Sequence, residues 1–164
     1  MRSKFFPSNK GTYILILYLK QTSEIKVGKL EKSIFKKGYY AYTGSALGGG
    51  GLEARLKHHL RLQDKPHWHI DYFKLHSEIK EIWFIENESR LEHICADVFL
   101  KQEKFLPIKK FGASDCKCIS HLFYLKSLPS FKVFENEFNI NSVHGKKANK
   151  WNRNILVKRL KGTG

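Results

Sequence analysis

Residues 11–19 read Gly11-Thr12-Tyr13-Ile14-Leu15-Ile16-Leu17-Tyr18-Leu19. From Thr12 to Leu19 the run is almost unbroken in apolar character and lacks polar alternation, which predicts a strand covered on both faces at the centre of its sheet. Working outward, Ile25 to Leu30 and Tyr39 to Thr43 are shorter, β-branched or aromatic, and separated by Lys and Gly. They predict neighbouring strands joined by turns in a small antiparallel sheet. Gly48 to Gly51 then breaks the strand pattern, and Leu52, Leu56 and Leu60 recur every four residues until Asp64 and Pro66, as expected of a helix. Pro66 to Leu75 predicts a second short helix. Glu78 to Ile85 predicts another strand, and Ser89 is placed to cap a helix in which Leu91, Ile94, Cys95, Val98 and Phe99 fall on one buried face. A loop from Phe111 to His121 and a short strand from Leu122 to Leu125 complete an α/β (α+β) unit that closes near Pro129.

The 164 residues suit one well-buried core, and the predicted division is a folded domain over 11–128 followed by a basic C-terminal extension over 129–164. Lys and Arg number 30 against 15 Asp and Glu, for a formal net charge of +15. Such an excess favours an anionic partner through long-range attraction and counterion release, with nucleic acid first among the candidates. No stretch approaches the roughly 20 apolar residues of a spanning helix, so no membrane role is expected. The segment from Met1 to Lys10 lacks the apolar stretch of a secretory signal, which predicts a cytoplasmic location. Cys95, Cys116 and Cys118 are odd in number and read as thiols rather than a disulfide framework.

Candidate chemistry follows from position. On a helical wheel, Arg55 and His59 lie at the edge of the Leu52–Leu56–Leu60 arc, four residues apart and projecting together. Lys57, His58 and Arg61 turn away from the core, where they would meet a phosphate backbone. The start of this helix should also direct unpaired N–H groups toward an anion. Glu92 lies beside the buried arc of its own helix, whereas His93 and Asp97 turn toward solvent. Tyr13 and Tyr42 each stand beside a glycine-flanked position that lets substrate approach closely. Cationic groups, a proton acceptor and a metal-holding carboxylate are what phosphodiester hydrolysis requires. His67 and His69, with Trp68 and Tyr72, supply stacking and polar groups for nucleic acid.

Gly11-Thr12-Tyr13 and Tyr42-Thr43-Gly44, followed by Arg55 and His59 on one helix and Glu92 on a later one, resemble the GIY-YIG nuclease superfamily. Thr12 and Thr43 stand where isoleucine is usual. Residues 40–46 (Tyr40-Ala41-Tyr42-Thr43-Gly44-Ser45-Ala46), 67–72 (His67-Trp68-His69-Ile70-Asp71-Tyr72) and 111–122, with Cys116, Cys118 and His121, are similar to the Uri-type endonuclease branch. The resemblance covers about residues 11–126. It implies a small antiparallel three-stranded sheet flanked by helices, and metal-dependent hydrolysis of DNA in preference to RNA, in association with DNA-repair proteins. Tyr13 would then be the general base, Tyr42 would orient water or phosphate, Arg55 would neutralise developing charge, and Glu92 would hold Mg²⁺ or Mn²⁺, with His59 at a position often functional in the superfamily. A non-catalytic nucleic-acid-binding module on the same fold, for DNA or RNA, is the alternative.

Cys116, Cys118 and His121 also offer zinc ligands, with His67 or His69 to complete a tetrahedron. The Cys-x-Cys spacing is tighter than the usual knuckle, and a loop with packed thiols is the favoured expectation over structural zinc.

Overall fold

A computed structural model describes residues 6–114, 116–142 and 150–156. In chain order the elements are β1 (Gly11–Leu19), β2 (Ser23–Ile25), β3 (Ser33–Phe35), β4 (Gly38–Ala46), α1 (Gly51–Leu60), α2 (His69–Lys74), β5 (Glu78–Glu86), α3 (Glu92–Leu100), β6 (Leu106–Pro107), β7 (Leu122–Leu125), α4 (Phe131–Ser142) and β8 (Asn152–Ile155). Six strands form one antiparallel sheet in the order β6-β7-β4-β1-β5-β8, and β2 and β3 pair separately.

This corrects the expected three-stranded sheet. β7 hydrogen-bonds to the outer side of β4, the two-residue β6 extends that edge, and β8 adds to the outer side of β5. The sequence concealed the last of these because Asn152-Arg153-Asn154-Ile155 carries no apolar alternation. What fixes β8 is instead an ion pair from Arg153 to the buried Glu81 and the burial of the preceding Trp151. The strand expected over Ile25 to Leu30 is also displaced, to the separate β2–β3 pair, and Ser89 does not cap α3. That helix follows Leu91 with no side-chain cap.

β1 runs between β4 and β5, which accounts for its apolar run. Alternation sends Tyr13, Leu15, Leu17 and Leu19 into a core shared with Leu52 and Leu56 of α1 and Ile70 and Phe73 of α2. On the opposite face Ile14 and Ile16 meet Cys95, Val98 and Phe99 of α3, with Phe134 and Phe138 of α4 and Trp151. The described part of the basic extension is therefore packed against the sheet. Lys146, Lys147, Lys158, Arg159 and Lys161 lie outside the described residues. Among the described residues, no helix is long and apolar enough to cross a membrane.

Candidate active site

The site forms where β1 begins and β4 ends. Tyr13 is paired directly with Gly44 across the ladder, and a Cβ at Gly44 would overlap the Tyr13 phenol. The absence of a side chain there lets the ring lie across the neighbouring strand. Tyr42, two residues earlier, is paired with Leu15 and points to the same face. Gly11 acts similarly for the helix, since a Cβ would overlap both the Ile85 carbonyl and the Leu52 side chain. α1 can thus lie close, with Leu52 and Leu56 buried and Arg55 facing the tyrosines.

Tyr13, Tyr42, Arg55, Trp68, Arg90 and Glu92 line one polar cleft of about 420 Å³. Glu92 arrives from the opposite layer, because α3 begins at the same end of the strands. The four residues singled out as base, orienting group, charge neutraliser and metal ligand are thereby brought together. His59 stands behind them, its Nε2 2.7 Å from the Tyr13 hydroxyl. Arg55 lies 4.4 Å over the Trp68 ring, a cation–π contact at the cleft wall. Arg90 went unrecognised in the sequence; its Nη1 is 3.6 Å from Glu92 Oε1. A cation two residues before an acid at a helix start was the available signal.

Burial governs the titration of these groups. Desolvation pushes the Tyr13 phenol well above its usual range, Tyr42 adds to the effect, and Arg55 opposes it. Tyr42 is likewise raised, first by desolvation and then by the Glu92 charge, against Arg55. Desolvation, followed by the nearby Lys74, lowers His59 to about 3, so its imidazole is neutral at physiological pH.

The expected anion cradle at the start of α1 is closed. The Leu52 N–H donates to the Asn9 carbonyl at 2.9 Å and the Glu53 N–H to the Pro7 carbonyl at 2.8 Å. The residues proposed to contact nucleic acid do not gather at the cleft either. Lys57 is exposed and pairs with Glu53 at 2.8 Å. Arg61 is exposed, and His58 is half-buried, with Nε2 3.2 Å from Asp71 Oδ1 and its ring packed on Trp68. His67 is exposed, and His69 Nδ1 accepts the Gly112 N–H at 2.8 Å. Much of the 67–72 block serves as scaffold. Asp71 Oδ2 accepts the N–H groups of His67 and Trp68 at 3.1 and 3.0 Å. Its Oδ1 lies 3.5 Å from the buried Lys74 ammonium, which donates to the carbonyls of His59 and Arg61 at 3.1 and 3.2 Å and so satisfies the end of α1.

Cys116, Cys118 and His121 do come together, but His93 joins them rather than His67 or His69. The wheel had turned His93 to solvent. Its ring is instead half-buried, with Nδ1 3.1 Å from Cys118 Sγ and the ring centroid 5.6 Å from that of His121.

A model of the domain of unknown function DUF123 matches residues 12–141, and the chain belongs to that family. The match spans every cleft residue named above. No curated protein and no solved structure matches the chain.

Proposed function

We propose that this chain is a GIY-YIG-type endonuclease that hydrolyses DNA phosphodiester bonds with a divalent metal. The observation that carries the reading is the convergence of Tyr13, Tyr42, Arg55 and Glu92 from four different elements on one cleft. A net charge of +15 supplies the attraction for a polyanion.

Arg55 and Arg90 present cationic donors to a phosphate whose charge grows as water attacks. The Arg55–Trp68 stack fixes one of them in orientation before substrate arrives. Tyr42 offers its hydroxyl to orient the attacking water or a phosphate oxygen. A neutral phenol cannot take a proton from water and keep its own. Tyr13 would therefore serve as base only as phenolate, the form that the Arg55 charge beside it favours against burial. His59, kept neutral by burial, would position the Tyr13 ring through the 2.7 Å contact of Nε2 with its hydroxyl rather than take its proton. Glu92 is the one carboxylate among the described residues lining the cleft. It fits Mg²⁺ or Mn²⁺, because such ions are commonly held by one or two carboxylates while water and substrate phosphate fill the remaining positions. The ion would supply Lewis acidity at the scissile phosphate.

The 1% exposure of Tyr13 favours a second reading, a nucleic-acid-binding module without turnover. The two are separated by incubating purified protein with labelled single-stranded, duplex and branched DNA and RNA, in Mg²⁺, Mn²⁺ or EDTA. Arg55→Ala and Glu92→Gln are assayed alongside. Metal-dependent cutting of DNA that falls at least about 100-fold in each variant is expected, since removing one charge-stabilising donor typically costs that much and Glu92→Gln removes the carboxylate that would hold the ion. Binding without cutting under every condition would establish the module, and cutting that survives both substitutions would refute this site.

A further inference from the structure

We propose that His93, Cys116, Cys118 and His121 form a structural zinc site that clamps the 111–121 loop to the start of α3, beside the cleft. Their donor atoms all lie within 4.8 Å of one another. Two of the distances, His93 Nδ1 to Cys118 Sγ and His121 Nε2 to Cys116 Sγ, are 3.1 Å. Zn–N and Zn–S bonds of about 2.05 and 2.3 Å place the corners of a tetrahedron about 3.3–3.8 Å apart. The observed separations bracket that range, so modest side-chain rotation closes the shell. Two thiolates and two imidazoles are a donor set suited to Zn²⁺, and four protein ligands leave no open position for catalysis. The thiolates also cancel the ion's charge, which a protein this cationic would otherwise resist.

One of the two imidazoles is held by its second nitrogen, as metal-bound histidines usually are. His121 Nδ1 lies 2.8 Å from Thr43 Oγ1, a buried hydroxyl in the middle of β4. His93 Nε2 faces Glu92 Oε1 at 3.8 Å. Thr43 thus acquires a role that isoleucine at the same position could not fill. The loop itself needs a clamp. Backbone bonds from Lys110 to Ile119 and from His121 to Phe111, both 2.8 Å, pinch its neck. Yet among its described residues from 112 to 120, none that is apolar is buried.

The site stands independently of the nuclease reading, save that Glu92, the residue before a zinc ligand, would owe its placement to the ion. The test needs no nucleic acid. Protein purified without added metal or chelator is analysed for zinc, and Co²⁺ is exchanged into the wild-type chain. One zinc per chain, and a cobalt spectrum with the visible bands of a tetrahedral site and thiolate-to-metal charge transfer, are expected. EDTA should lower the melting temperature. Cys116→Ser and Cys118→Ser should lose the zinc, whereas Cys95→Ala and His69→Ala should keep it. Zinc below a tenth of an equivalent with no tetrahedral cobalt spectrum would overturn the site, as would a Cys116–Cys118 disulfide in the intact mass. Should the serine variants fail to fold, the wild-type zinc content and cobalt spectrum still decide it.

Discussion

His59→Gln should remove a specific component of acid sensitivity. In the folded chain the imidazole is 2% exposed and lowered to about 3 by burial, then by the positive charges of Lys74, His58 and Arg55, with Asp71 acting oppositely. Tyr13 and Tyr42 complete the ring of titratable neighbours. In the unfolded chain His59 titrates near 6.5. At pH 8 both states are neutral there and the residue contributes no pH dependence. Below about 6.5 the unfolded state binds a proton that the folded state refuses, so stability falls with falling pH until the folded value is reached. Between pH 8 and pH 5 the loss is about 2 kcal/mol. Gln cannot titrate and retains a polar group for the Tyr13 hydroxyl. Urea unfolding of both proteins across that pH range, with the variant subtracted from the wild type, isolates the component because the other seven histidines are common to both chains. Carboxylates contribute little above pH 5. A difference that stays flat within about 0.5 kcal/mol would refute the buried neutral imidazole.

Two other substitutions probe how the site is framed. Gly44→Ala places a methyl group against the Tyr13 ring, and should cost about 1–3 kcal/mol in urea unfolding while displacing the phenol; an unchanged midpoint would show that the ring does not need that gap. Trp151→Ala empties a position whose ring lies 4.9 Å from Phe134 and 5.1 Å from Phe138. It should cost about 3–5 kcal/mol, and a loss below about 1 kcal/mol would mean that residues beyond 128 do not belong to the folded unit.

The parts of the fold written in local periodicity were legible. β1, β4, β5 and α1 appear near their expected positions because their apolar residues satisfy a period of two or of 3.6. Tyr13, Tyr42, Arg55 and Glu92 could be gathered from the text because motif order and wheel position carry that information. What escaped depended on distant partners. β8 exists through Glu81 and Trp151, not through its own side chains. His93 looked like a solvent-facing residue because the thiols that bury it come from a loop more than twenty residues downstream. The α1 start appeared free for an anion because nothing in the helix reveals that Pro7 and Asn9 supply carbonyls to it. In the 67–72 block, polar and aromatic residues that suggested recognition turned out to be largely internal fastening, with His69 engaged by Gly112 and Asp71 by backbone N–H groups.

Lys74 bears on how the cleft would select what enters it. A helix ordinarily frays from its last turn, yet this one ends on a buried ammonium shared among its terminal carbonyls and neutralised by Asp71. Loosening α1 would strand that charge without water, at a cost of several kcal/mol. Arg55 and His59 therefore ride on a rigid mount. Under the nuclease proposal, a nucleic acid passing them would have to do the bending, so discrimination among substrates should follow how readily each deforms rather than how far the protein can yield.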